Sequence, residues 1–289
     1  AGDAYRVGQL ARRNADHSRA EAWLRRAVGV ARRAEDSYLH ALALVGLGNV
    51  FLDRGEYPGA ERAYRKALGM ARRHGLREIR GLAFHDLFRV TYETGSGENA
   101  EAYARNAFRA YGPRHPRQLV LAHDLTVFWL AHGQFQRASD VLSVMLRLVT
   151  YPPERVVVLG NIAYAAGGLG DRKGFLDAWM EAWSLVDHDQ AGACASSALD
   201  LAAGASMLED WERADIAASF AFASAVRGRD AKSRVAAEAM LESIRGRQTV
   251  GPRISSSPDP EADRFAASLL KSIALVVADT GCRPRLLQQ

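Results

Sequence analysis

His40-Ala-Leu-Ala-Leu-Val-Gly-Leu-Gly-Asn-Val-Phe-Leu-Asp53, followed by Arg54-Gly55-Glu56-Tyr57, decides the fold of this 289-residue chain. Ala41, Leu44, Val45, Gly48 and Leu52 fall on one face at helical spacing. Gly55 then stands where a helix end asks for positive φ. Ala60, Tyr64, Ala67 and Leu68, spaced four, three and one, predict a second helix. Gly48 and Ala60 are read as facing each other across the pair, where small side chains allow close approach. Such a hairpin cannot bury its apolar face alone, so it needs copies of itself on either side. The copies are present. Gly8, Ala20 and Ala27 return 40 residues later as Gly48, Ala60 and Ala67, and the last two return again as Ala100 and Ala107. A fixed period of this length means a solenoid of stacked units, a class that works by offering an extended concave surface.

The composition agrees. Hydrophobic residues make up 48% of the chain but aromatics only 8%, so the core is expected to be Ala and Leu, suited to closely packed helices. Nine prolines and little Val/Ile/Thr alternation argue against a sheet. No run of 18 or more apolar residues is present, and residues 1–30 lack the charged-then-apolar pattern of a secretory signal. Cys194 and Cys282 lie far apart without a CxxC, which fits reduced thiols in the cytoplasm. Residues 1–120 hold 21 Lys and Arg against 13 Asp and Glu, and the remainder 17 against 20. Nearly all the cations are Arg. The chain enters its first helix almost at once, as expected after loss of an initiator Met or for a stretch of a longer protein.

Leu47-Gly48, Phe51, Tyr57, Ala60, Tyr64, Ala67 and Leu68 resemble the tetratricopeptide repeat (TPR) pattern of Leu-Gly, Tyr, Ala, aromatic, Ala. The first unit matches through Gly8, Ala20, Leu24 and Ala27, with Ala4 in place of the large first aromatic. The third matches through Leu87, Ala100 and Ala107, with Phe88 where Gly is usual. A fourth runs Leu125, Trp129, Gly133, Phe135, Ala138, Leu142; a fifth Leu159-Gly160, Gly170, Trp179, Ala182; a sixth Leu201, Trp211, Ala214, Ala218, Ala221. The period of 40 is similar to the longer repeats of kinesin light chain and of bacterial peptide-sensing regulators. The resemblance implies an all-α superhelix of about six helical hairpins over residues 1–228. A packing helix within 229–247, a Gly/Pro/Ser linker at 248–258, a capping helix at 259–281 and a tail at 282–289 are expected to follow. Asp259-Pro260-Glu261 reads as the start of that last helix, and Phe265, Leu269, Ile273, Val276 and Val277 as its apolar stripe. The helix is expected to cover the last repeat, or else to fold into the groove as a built-in ligand.

In the TPR family the first helix of each pair lines the concave surface. Laid on this chain, that face gives Tyr5, Gln9 and Arg12; Val45, Asn49 and Leu52; and His85, Arg89 and Tyr92. It continues with His123, Val127 and Leu130, then Val157, Asn161 and Tyr164. The two Leu-Gly-Asn triplets are read as putting Asn49 and Asn161 at the same place in their helices. An amide can donate to and accept from a peptide backbone without reading its sequence. Arg89 can pair with a carboxylate, with His85 assisting, and Tyr92 and Tyr164 offer flat faces with polar tips. The expected groove set is therefore Tyr5, Gln9, Asn49, His85, Arg89, Tyr92, His123, Asn161 and Tyr164. It departs from the carboxylate clamp of chaperone-binding TPR proteins, since Tyr5 stands where that clamp has a Lys.

No catalytic residue, metal site or cofactor is expected. GxxxxGK[ST], HExxH and GxSxG are missing. Asp187-His188-Asp189 reads as a helix-end loop, and Gly167-Gly168-Leu169-Gly170 follows a helix rather than the strand a phosphate loop needs. Arg25-Arg26, Arg32-Arg33 and Arg72-Arg73 sit on or at the ends of second helices, where the dipole favours cations. With no aromatic interleaving they do not point to nucleic acid. The expected partner is a protein or peptide segment, not a membrane. Two other readings stay open: the sensor part of a signalling or transcription regulator, and a self-assembling scaffold.

Overall fold

The computed structural model describes residues 1–95, 99–186, 194–252 and 259–280, with 276–280 by backbone alone. Among these residues the chain is all-α, with fourteen helices and no strand. The Asp187-His188-Asp189 run, most of the expected linker, the side chains of Val276 and Val277, and the tail lie outside the described residues. The hairpins divide into two compact units, Ala1–Arg117 and Gln118–Gln289, a division inside the expected single array. Pro113 and Pro116 stand at the division; a proline lacks the amide that would continue a helix through it.

The first unit is three hairpins: α1 (Gly2–Arg13) with α2 (His17–Arg33), α3 (Ser37–Asp53) with α4 (Tyr57–Arg73), and α5 (Arg77–Glu93) with α6 (Ala100–Tyr111). α2 also packs against α3 and α4 against α5, and α3 touches both α1 and α5. The second unit begins at the second residue of α7 (Arg117–Ala131) and goes on to α8 (Phe135–Leu148). It continues with α9 (Pro152–Leu169), α10 (Arg172–Leu185), α11 (Ala195–Met207) and α12 (Trp211–Arg227). Then come α13 (Ala231–Arg245) and α14 (Pro260–Thr280).

One turn design recurs inside the hairpins. A residue with left-handed backbone ends the first helix: Ala15, Gly55, Gly95, Gly133, Gly170 and Glu209, with φ between 56° and 73°. The amide after it donates to the carbonyl five residues back, as in Asp16 to Ala11, Glu56 to Phe51 and Asp171 to Ala166 at 2.8–2.9 Å. Where that next residue is Asp, its carboxylate caps the second helix: Asp16, Asp171 and Asp210 accept from the amides of Arg19, Gly174 and Arg213. Each such cap contributes about 1 kcal/mol. The left-handed residues follow one another at intervals of 40, 40, 38, 37 and 39. They are a ruler for the register of every hairpin.

The period found in the sequence is the core. Ala20, Ala27, Ala60, Ala67, Ala100 and Ala107 are all essentially without solvent contact. Gly48 departs from the expectation. Its close neighbour is Tyr64 rather than Ala60: a Cβ on Gly48 would stand 2.7 Å from Cδ1 and 2.8 Å from Cζ of that ring. Tyr64, one turn beyond Ala60, lays its ring across the bare backbone, so the glycine makes room for an aromatic instead of a second helix axis.

The fifth hairpin also departs. Gly160 lies ten residues before Gly170, whereas Gly48 lies seven before Gly55. Ala163, not Gly160, is therefore the counterpart of Gly48, and Asn161 does not occupy the place of Asn49. Gly160 serves a different contact: a Cβ there would meet the Ser197 carbonyl at 2.9 Å. Gly167 likewise lies against the Gly204 backbone, so α9 and α11 touch main chain to main chain. Gly167 is taken up by this contact and Gly168 by the ring of Phe135, so the pair that superficially resembles a phosphate loop serves packing. Further on, α13 lies against α11 and α12. The described contact of α14 is with α8, the second helix of the fourth hairpin, where a cap on the last repeat or a place in the groove was expected. Asp259 caps α14 through the amides of Glu261 and Ala262, and Arg137 of α8 pairs with Asp263 at 2.6 Å and with the Asp259 carbonyl at 3.0 Å. Phe265, Leu269 and Ile273 are buried as a stripe.

Candidate functional site

Measured from the left-handed residues, the face assigned to ligand binding consists of positions ten, six and three before each turn. In the first unit these are Tyr5, Gln9 and Arg12; Val45, Asn49 and Leu52; and His85, Arg89 and Tyr92. Gln9, Asn49 and Arg89 share the sixth place, each half-buried. Their neighbours hold them in set poses. Gln9 Nε2 donates to Tyr5 Oη at 2.7 Å, leaving the Gln9 carbonyl oxygen to accept. Tyr64 Oη donates to Asn49 Oδ1 at 2.7 Å, leaving the Asn49 amide hydrogens to donate. Burial pushes the Tyr64 phenol well above its ordinary value, so it stays a protonated donor. Burial also raises Tyr5, against the hydrogen bond from Gln9 and the charges of Arg117, Arg12 and Arg13.

The charges on this face are paired. Arg12 Nε lies 2.6 Å from Asp53, and Arg89 lies 3.7 Å from Asp86. Burial raises the Asp86 carboxyl, while Arg89, His85, Arg117 and Arg12 pull it down. His85 is itself buried, at 3% exposure, with Nδ1 3.2 Å from Tyr111 Oη. It acts as a support of the face rather than a surface upon it.

In the second unit His123, Val127 and Leu130 precede Gly133 by ten, six and three. For the fifth hairpin the register corrects the sequence reading: the triplet is Gly160, Tyr164 and Gly167, which keeps Tyr164 and displaces Val157 and Asn161. Asn161 is buried at 2% exposure, its Nδ2 3.4 Å from His123 Nε2, and His123 Nδ1 is 3.5 Å from Asp124. Tyr164 packs edge-on against Phe135 at 5.8 Å between ring centres. The nine expected residues are therefore split between the two units, and two of them, His85 and Asn161, are interior.

Sequence reasoning missed an acid that recurs at one register position in both units. Asp86, Asp124 and Asp200 each stand nine residues before a left-handed residue, with Asn161 at the equivalent place in the fifth hairpin. Burial raises Asp200 to about 7, with His123 opposing the shift. The only sequence signal is the recurrence of Asp or Asn at intervals of 38, 37 and 39, which is invisible to a fixed period of 40.

Among the described residues no group of three His, Cys, Asp or Glu side chains is placed to hold a metal ion, and no helix is long and apolar enough to cross a membrane. Residues 1–73, the first two hairpins, match the family model described as tetratricopeptide repeat. No curated protein matches the chain.

Proposed function

We propose that this chain, a tetratricopeptide repeat protein through its first two hairpins, is a non-enzymatic interaction module that binds an extended peptide or protein segment along its first helices. One observation carries the reading. Gln9, Asn49 and Arg89 recur at 40-residue spacing in one register, half-buried and oriented by neighbours, so three successive hairpins each offer one hydrogen-bonding group to the same side. A peptide backbone has donors and acceptors at regular intervals along its length. Asn49 offers donors, Gln9 an acceptor, and Arg89 a positive charge for a carboxylate or carbonyl. Affinity built this way is spread over several repeats and needs no reacting group.

The test is selection of random 15-residue peptides on the intact chain, followed by binding of the enriched peptides to a Gln9→Ala, Asn49→Ala, Arg89→Ala variant. Enrichment with at least about tenfold weaker binding to the variant, roughly 1.4 kcal/mol, supports the reading. Unchanged helicity by circular dichroism must accompany it. Peptides that bind both proteins equally, or no enrichment at all, would remove it.

A further inference from the structure

The stretch after α13 neither begins a new helix at once nor leaves the protein. It turns as the hairpins do, with Arg247 left-handed at φ 48° and the Gln248 amide donating to the Ser243 carbonyl at 2.9 Å. Instead of a helix, an irregular segment, Gln248-Thr-Val-Gly-Pro252, then runs back over the first helices of the second unit. The Val250 amide donates to Ser206 Oγ of α11 at 3.2 Å. Ser206 stands three residues before Glu209, which is the ligand-facing place in its hairpin. It is itself fully buried, and its hydroxyl donates to the Ala203 carbonyl at 2.8 Å. The Val250 side chain packs, with Tyr164, on the core cluster that contains Ala203, Met240 and Ile244. Gly251 takes φ 144°, a conformation that favours glycine. A Cβ there would stand 3.0 Å from Tyr164 Oη and 3.3 Å from both Sδ and Cε of Met207.

Three features distinguish this from a tail lying on a surface. The backbone donates a hydrogen bond to the side chain at a ligand-facing position. A β-branched side chain is seated on core residues. The next residue is a glycine at φ 144°, and Tyr164 and Met207 come within 3.0–3.3 Å of where its Cβ would stand. This is how an extended peptide is bound: main-chain hydrogen bonding for affinity, and a shaped place for each side chain.

We propose that the face of α9 and α11 is a binding site for an extended segment carrying a β-branched residue followed by glycine, and that Gln248–Pro252 is its resident, displaceable occupant. The proposal rests on the peptide-binding reading, and it adds both the ligand chemistry and a regulation. An outside ligand of this kind must displace a tethered competitor, whose effective concentration is on the order of millimolar. The second unit is then closed until the strap is released.

The probe is a fluorescein-labelled synthetic peptide of residues 246–252, Gly-Arg-Gln-Thr-Val-Gly-Pro, together with a control bearing Asp for Val. Binding is measured by anisotropy to the intact chain, to a Val250→Asp, Gly251→Val variant that unseats the strap, and to the milder Val250→Ala. The expected result is binding at least about tenfold tighter to the unseated chains than to the intact one. The control peptide should not bind, and a further Met207→Asp should abolish the gain. Equal binding to all chains, or none to any, would overturn the proposal. Should the double variant unfold, Val250→Ala and amide hydrogen exchange at Val250 in the intact chain decide. Exchange accelerated by 1 mM unlabelled peptide supports displacement, and unchanged exchange refutes it. Peptide selection reads the first unit through Gln9, Asn49 and Arg89, so failure here with success there removes only the strap.

Discussion

Replacing Gly48 by Ala and Gly69 by Ala should move stability in opposite directions, although the substitutions are chemically identical and their helices are partners in one hairpin. Alanine in a helix interior is favoured over glycine by roughly 0.5–1 kcal/mol. At Gly69 nothing lies within 4 Å of the new methyl group, so the whole gain is realised. At Gly48 the methyl stands 2.7 Å from Cδ1 and 2.8 Å from Cζ of Tyr64, about 1 Å inside ordinary carbon contact. The ring has nowhere to go: Tyr64 has no solvent exposure, and its hydroxyl is held to Asn49 at 2.7 Å. Overpacking of this kind costs about 1–3 kcal/mol. Subtracting the propensity gain leaves Gly48→Ala destabilised by roughly 0.5–2 kcal/mol. Urea unfolding followed by circular dichroism gives both values, provided the slopes with denaturant agree. Gly48→Ala combined with Tyr64→Leu should recover part of the loss, because the two sites share one contact. If Gly48→Ala stabilises as much as Gly69→Ala, the ring does not cover Gly48, and the oriented Asn49 amide goes with it.

Asp200→Asn should change how stability responds to pH. Burial raises this carboxyl in the folded chain from 3.8 to about 7, so its contribution is full below about pH 4 and is lost as pH rises through about 7. The variant should match the parent near pH 4 and exceed it at pH 8; a parent whose urea midpoint does not fall over that window would refute the shift. Asp171→Ala removes the carboxylate that accepts from the Gly174 amide at 2.9 Å and should cost about 1 kcal/mol, read by the same unfolding assay. Arg137→Ala breaks the ties to Asp263 and to the Asp259 carbonyl, so hydrogen exchange should quicken across α14 and not in α3. Because Asp263 is largely exposed, the loss should stay within about 1 kcal/mol.

The helices of the first unit were legible because every interval there is 40, so matching small residues also matches register. In the fifth hairpin that shortcut fails. The helix before it, α8, has 14 residues where α4 has 17, and the interval between left-handed residues falls to 37. Leu159-Gly160 looks like Leu47-Gly48, but its glycine answers to the Ser197 carbonyl instead of an aromatic ring. The dipeptide records only that something approaches closely, not what. Register is set instead by the left-handed residue and the amide behind it, and a sequence shows this weakly when the residue is Ala15 or Glu209. His85 and Asn161 were placed on the face by spacing, yet spacing cannot tell a half-buried position from a buried one when neighbouring helices close over it. The strap was invisible for a further reason: a Gly-Pro stretch reads as a linker, and only the seat made by Ser206, Tyr164 and Met207 gives it a place.

The uniform interval of the first unit makes its hairpins interchangeable parts. Excising residues 16–55 would join Ala15 to Glu56, substituting one left-handed residue for another, and α1 would meet α4 with Gly8 where Gly48 had been. Nothing in the turn would notice the missing 40 residues, and the same junction would accept an inserted copy. The second unit has no such freedom. Its α9 and α11 are joined through the bare backbones of Gly167 and Gly204, and a generic repeat placed between them would bring side chains where none fit. Lineages of this protein should therefore gain and lose repeats at one end while the other end is inherited whole. A designer wishing to lengthen the binding surface should cut at Ala15 or Gly55.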